Sequence, residues 1–227
     1  MCGRYTLHKK VDELAERYNL ANVPSDLKSN YNVAPGQLMP VITEDESGKR
    51  SLEIMKWGLV PFWAKDPKIG YKLINVRDET IFDKPMWRSV ILKKRCLIPA
   101  DGFYEWKAPA TAKEHKQPFY IHPKQIELFS FAGVWETWKD VEGLEMRTYS
   151  IITSEPNKEM AQIHNRMPVI LHQEDESSWL EPTHVTRDDI EPLLRPYEDN
   201  GLDIYKVSSD VNSTRNNEKE LIYPLSA

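Results

Sequence analysis

The residues best equipped for chemistry open the chain: Met1-Cys2-Gly3-Arg4. A small residue at position 2 permits removal of the initiator methionine. Cys2 would then carry a thiol and a free α-amine on adjacent carbons. With ordinary pKa values of about 7.7–8.0 for the amine and about 8.5 for the thiol, part of the amine is uncharged near neutral pH. Such an amine gives an imine with an aldehyde, and the adjacent thiol then closes a five-membered thiazolidine. Neither lysine nor an internal cysteine closes that ring. Cys2 is also readable as nothing more than a small residue, because a reactive thiol needs an electropositive setting, towards which Arg4 is one contribution.

Three other clusters carry functional side chains. Asn75-Val76-Arg77 pairs an amide that both donates and accepts with a guanidinium that clamps phosphate, though Asn also marks turns. Glu105 sits in the aromatic run Asp101–Trp106, where burial would suit a carboxyl to proton transfer. On the exposed face of an alternating strand it would be inert. His164 and Arg166, in His164-Asn165-Arg166-Met167-Pro168, offer a proton carrier near neutral pH and an anion contact; a capping or core histidine is the alternative. Cys96, between Arg95 and Leu97, reads as a buried structural thiol. Trp57, Pro61, Phe62, Trp63 and Trp87 are either a base-stacking platform or core. Lys93, Lys94 and Arg95 line a groove or form a solvated face.

The elements that must position these residues are mostly strands. Strand-like runs cover Leu52–Trp57, Cys96–Pro99, Phe103–Trp106, Phe119–Ile121, Leu128–Val134, Arg147–Thr153 and Pro168–Leu171. Helical spacing predicts a helix over Lys9–Tyr18, a second over Asn157–Ile163 with Ser154 as N-cap, and a third near Asp188–Leu194 that Pro192 weakens. Asp45–Arg50 reads as a hairpin turn and Lys107–Pro118 as an exposed loop. Without regular strand–helix alternation, the expected fold is α+β: one compact domain around a curved, mostly antiparallel sheet or barrel.

Composition narrows the function classes. The 227 residues, 40% hydrophobic, suffice for one sizeable core, and a net charge of −5 excludes a polycation. Nucleic acid would therefore be held in a local basic groove, with a short single-stranded footprint. Two cysteines make neither a disulfide scaffold nor a zinc set. No apolar leader and no run of about eighteen apolar residues is present, so a reducing cytoplasm with free thiols and no membrane is expected.

The motifs occur in a fixed order: MCGRY, YNVAPGQ (31–37), MKWGLVPFWA (55–64), NVRDET (75–80), RCLIPADGFYEW (95–106) and HNRMPVIL (164–171). Together they closely resemble the SOS response-associated peptidase family, the SRAP-domain proteins, over nearly the whole chain, with a core of about residues 2–211 of a single 1–227 domain. That resemblance implies an abasic-site sensor of the DNA-damage (SOS) response. Its partners would be single-stranded DNA and single-strand/double-strand junctions, and it would act as a monomer without metal or organic cofactor. Cys2 matches the family nucleophile, which forms a thiazolidine crosslink with the ring-opened sugar. Asn75 matches the residue that positions the sugar and the amine. Glu105 matches the proton-transferring carboxylate, linked to β-elimination lyase activity. His164 matches the histidine acting on the sugar hydroxyl. Arg77 matches a phosphate contact, Arg4 and Arg166 match DNA-facing arginines, and Thr153 matches a pocket residue. The peptidase in the family name reads as removal of residues preceding Cys2. Gly36 and the Pro67–Lys72 segment depart from the family pattern. A cysteine peptidase using Cys2 and His164, and a single-strand-binding module with an inert Cys2, are the alternatives.

Overall fold

The alternating apolar runs become strands in the computed structural model, which describes residues 2–21, 23–24, 27–109, 111, 115–183 and 185–225. In chain order the elements are β1 (Arg4–Leu7), α1 (Val11–Tyr18), β2 (Asn30–Val33), β3 (Leu38–Glu44), β4 (Arg50–Trp57), β5 (Asn75–Arg77), α2 (Asp78–Ile81), α3 (Pro85–Lys93), β6 (Arg95–Ala100), β7 (Gly102–Lys107), β8 (Gln117–Pro123), β9 (Phe129–Lys139), β10 (Glu145–Ser154), β11 (Met167–Pro168), β12 (Ile170–Leu171), α4 (Glu176–Leu180), α5 (Arg187–Ile190) and β13 (Leu202–Lys206). Met1, which the proposed amine chemistry requires to be removed, lies outside the described residues, as does part of the Lys107–Pro118 loop.

Strands β10, β4, β3, β6 and β9 pair in a closed ring, because β9 also pairs with β10. Only the β10–β4 contact in that ring is parallel. Short strand β5 adds to β10 in parallel, and β11 and β12 extend β10 and β9. A second, wholly antiparallel sheet runs β13-β8-β7-β1-β2. The expected α+β fold with a mostly antiparallel barrel is therefore what forms.

Aromatic packing joins the two sheets. Tyr5 of β1 meets the Trp57 ring edge-on at 5.1 Å and hydrogen-bonds Tyr149 hydroxyl to hydroxyl at 2.7 Å. Phe131 of the barrel packs edge-on against Tyr5, Phe103 and Phe129. Edge-to-face pairs of this kind add to simple burial. The first helix forms as its spacing predicts: Leu14 and Tyr18 are buried, and left-handed Asn19 ends it. Asp45 accepts from Ser47 N and Lys49 N, and Gly48 at φ +76° completes the β3–β4 turn.

Several expectations change. Ser154 does not cap a helix; it ends β10, and only a short 3-10 turn, Met160–Gln162, follows. Pro156 keeps Glu155 out of helical geometry, and Asn157 Oδ1 instead accepts from Met160 N at 2.9 Å. Near Pro192, α5 gives way to a 3-10 turn over Glu191–Leu193. Arg95 is neither groove nor solvated face: it is buried, donating to the carbonyls of Ile91, Trp179 and Glu181. Lys94 pairs with Glu136. Trp57 and Trp87 are core, whereas Phe62 and Trp63 are 67% and 57% exposed. Cys96 is buried and free, as expected.

Candidate active site

The start of the chain is held carbonyl by carbonyl. Asn75 Nδ2 donates to the Cys2 carbonyl at 2.8 Å, and Arg4 Nη1 donates to the Gly3 carbonyl at 3.1 Å. The Cys2 thiol, fully buried, points to the Arg4 carbonyl at 3.6 Å. Strand β1 needs both neighbours for this: β2 and β7 pair with it on either side. Asn75 is placed from the barrel, where β5 sets it opposite Ile151 of β10. Its Oδ1 is buried and has no hydrogen-bond partner among the described residues. An acceptor in that state carries a desolvation cost that an arriving donor removes.

Glu105 lies on β7, where the register sets its neighbour Tyr104 opposite Arg4. It is buried, as the aromatic run suggested, at 3% exposure. Burial pushes the Cys2 thiol well above the ordinary thiol value, and the negative charge of Glu105 pushes in the same direction. Burial thus favours the neutral form of the thiol. His164 follows the 3-10 turn, and its Nδ1 accepts from Arg166 N at 3.1 Å. The Arg166 carbonyl also lies 3.3 Å from Nδ1, so the role of that nitrogen follows the tautomer of the ring.

Glu105 and His164 both line one cleft of about 800 Å³, together with Trp106, His115, Lys116, Ser209 and Asn212. Cys2 and Asn75 meet each other but are not among the residues that line the cleft. Arg4 reaches the wall through its neighbours, donating to Asn32 Oδ1 at 3.1 Å and to the Asn212 carbonyl at 3.5 Å. Arg77, Thr153 and Arg166 gather at the β5–β10 pairing. Arg77 is exposed. Thr153 is fully buried, and its hydroxyl donates to the Val76 carbonyl at 3.3 Å. The Arg166 side chain is 7% exposed and pairs with Asp78 and Glu79, while also donating to the Thr153 carbonyl. Burial, with a hydrogen bond to Glu79, holds the Asp78 carboxyl up at about 6.

His115, Lys116, Ser209 and Asn212 were not anticipated as site residues. The first two lie in what reads as a solvent loop, and the last two follow β13 beyond any motif. Among the described residues no group of three or more His, Cys, Asp or Glu is placed to hold a metal, and no helix is long and apolar enough to cross a membrane. A carboxylate and an imidazole lining one cleft, the carboxylate on the strand paired with β1, can move protons on a bound ligand.

Fold and site together define an α+β barrel protein whose cleft is built against the start of its own chain. The chain belongs to the SOS response associated peptidase (SRAP) family, whose family model matches residues 1–214. It is 46% identical to the abasic site processing protein YoqW of Bacillus subtilis, over 98% of this chain and 99% of that one. The abasic site processing protein HMCES of Xenopus tropicalis is 33% identical over 84% of this chain and 64% of its own length. A crystallised protein from Bacteroides thetaiotaomicron has the same fold, with a TM-score of 0.89 at 31% identity, covering 99% of this chain and 100% of the other.

Proposed function

We propose that this protein acts on abasic sites in single-stranded DNA and at single-strand/double-strand junctions, crosslinking to the lesion through Cys2 once Met1 is removed. Removal of Met1, by the chain itself or by an aminopeptidase, exposes the α-amine beside the cleft. Glu105 and the imidazole of His164 assist opening of the deoxyribose to its aldehyde. The Cys2 amine attacks the aldehyde carbon; a C–N bond forms and one water leaves, giving the imine. The thiol then adds across the imine: a C–S bond forms and the thiol proton passes to nitrogen. A thiol that is neutral at rest fits this order, in which the amine acts first. Holding amine, thiol and aldehyde together is worth roughly 7–11 kcal/mol of barrier.

The observation that carries this reading is Asn75: one end of its amide grips the Cys2 carbonyl, and the other is a buried acceptor awaiting a donor such as the Cys2 amine. Diverted at the imine, proton removal from the neighbouring sugar carbon expels the 3′ phosphate, which is the associated lyase activity. Arg4 and Arg77 meet phosphates, with Thr153 shaping the strand beneath them. Arg166 reaches a phosphate only by giving up part of its pairing with Asp78 and Glu79. The protein works in this reading as a cytoplasmic monomer in the DNA-damage response. A cysteine peptidase would need a Cys2 thiolate, which burial opposes.

The test is a single-stranded oligonucleotide with one abasic site, followed by a denaturing gel and intact mass. A slow band is expected from protein lacking Met1. Cys2→Ala abolishes the stable adduct while strand cleavage persists, and Asn75→Ala slows adduct formation at least tenfold. Processed, folded protein that leaves no adduct sinks the reading.

A further inference from the structure

We infer that Asn32, in the Tyr31–Gln37 run that plays no part in the chemistry so far, is a positioning residue for the Cys2 reaction. This role presupposes the abasic-site chemistry proposed above. Asn32 is 1% exposed on β2. Its Oδ1 accepts from Arg4 Nε at 3.1 Å. Its Nδ2 is directed at three carbonyls, of Val211, Ser213 and Asn216, at 3.2, 2.9 and 3.0 Å. Two N–H groups thus serve three acceptors, and every polar atom of the amide is engaged.

One buried side chain therefore joins two parts of the site far apart in sequence. Arg4 opens β1, two residues after Cys2, and Asn212 of the 211–216 stretch lines the cleft. Asn212 closes the tie, its carbonyl accepting from Arg4 Nη2 at 3.5 Å and its Oδ1 accepting from Trp106 Nε1 at 2.7 Å. Asn212 and Trp106 both line the cleft.

The chemistry of the acceptor is the point. Arg166 is oriented by Asp78 and Glu79, which match its charge. Among the described residues Arg4 is oriented by neutral oxygens: the Asn32 amide and the Gly3 and Asn212 carbonyls. Its position is fixed while its positive charge stays uncompensated, as a cation awaiting a phosphate requires. An alanine at position 32 releases both Arg4 and the 211–216 stretch. An aspartate keeps an acceptor for Arg4 but cancels its charge and sets oxygen against three carbonyls.

Two measurements test this: the single-turnover rate of adduct formation on an abasic oligonucleotide, and the salt dependence of binding to an intact single strand. Asn32→Ala is expected to slow adduct formation at least tenfold, as does Arg4→Ala, and the double variant is no slower than Arg4→Ala alone. Asn32→Asp is expected to flatten the slope of log affinity against log salt by about 0.7, one phosphate contact on single-stranded DNA; a purely structural role would leave that slope unmoved. Folded Asn32→Ala that crosslinks at the wild-type rate, or effects that multiply in the double variant, overturns the inference. Should Asn32→Ala not fold, Asn32→Asp decides, and an unchanged slope overturns it. A wild-type protein that forms no adduct refutes the chemistry itself; a wild-type adduct with indifferent Asn32 variants refutes only this role.

Discussion

At the scale of single residues, the two thiols share one electrostatic condition. Burial pushes both Cys2 and Cys96 above the ordinary thiol value. The folded chain therefore keeps two protons that the unfolded chain releases once pH passes about 8.5. Stability from these groups is complete below that pH and declines as pH rises past it. Melting temperature should fall between neutral pH and about pH 10, and Cys2→Ser should fall less steeply than the parent. Equal slopes would mean that the Cys2 thiol is not desolvated as described. At this scale the sequence shows which side chains are reactive but not which are occupied. Glu105 is legible as a buried carboxylate because aromatic residues flank it. The occupation of Arg166 is not, since Asp78 and Glu79 lie 88 and 87 positions away and meet it only through the β5–β10 pairing.

At the scale of elements, β1, which follows Cys2, lies outside the expected strand runs. Strand β1 pairs on both edges and buries Tyr5, Thr6 and Leu7 in succession, so it shows no apolar–polar alternation. Helix α3 lies outside the expected helices; its Pro85 stands in the first turn, where proline is favourable. A close backbone approach supports β5. Gly58, at φ +115°, passes Gly70 so tightly that an added Cβ would lie 2.6 Å from the Gly70 carbonyl oxygen. Gly58→Ala is expected to lose roughly 1–3 kcal/mol from backbone strain and overpacking, read by chemical denaturation. Because Leu59 N donates to the Leu73 carbonyl, two residues before Asn75, the same variant should slow adduct formation. Wild-type stability would show that the approach is looser than this geometry.

At the scale of the whole molecule, one buried carboxylate ties the first helix to the rest. Glu176 of α4, 1% exposed, receives both Arg17 terminal nitrogens from α1 at 2.9 and 2.8 Å, and the Ser130 hydroxyl of β9 at 2.6 Å. Removing one member of such a pair leaves an unmatched buried charge. Glu176→Ala should therefore destabilise the fold by about 3–5 kcal/mol in a denaturant titration. A loss below about 1 kcal/mol would place this pair with solvent-exposed ones. Fold class was legible because strand patterns without helix alternation leave few architectures. Barrel closure was not, because it depends on β9 pairing with both β6 and β10, a long-range choice that no local pattern encodes.

The placement of β1 also sets a timetable for the ribosome. β1, residues 4–7, is made well before its partner β7, which starts at Gly102. At roughly 5–20 residues per second, synthesis of the intervening chain takes on the order of 5–20 s. Throughout that interval β1 lacks its β7 partner, and afterwards it is an inner strand between β2 and β7. The first strand of the fold is thus made long before the strand that locks its second edge.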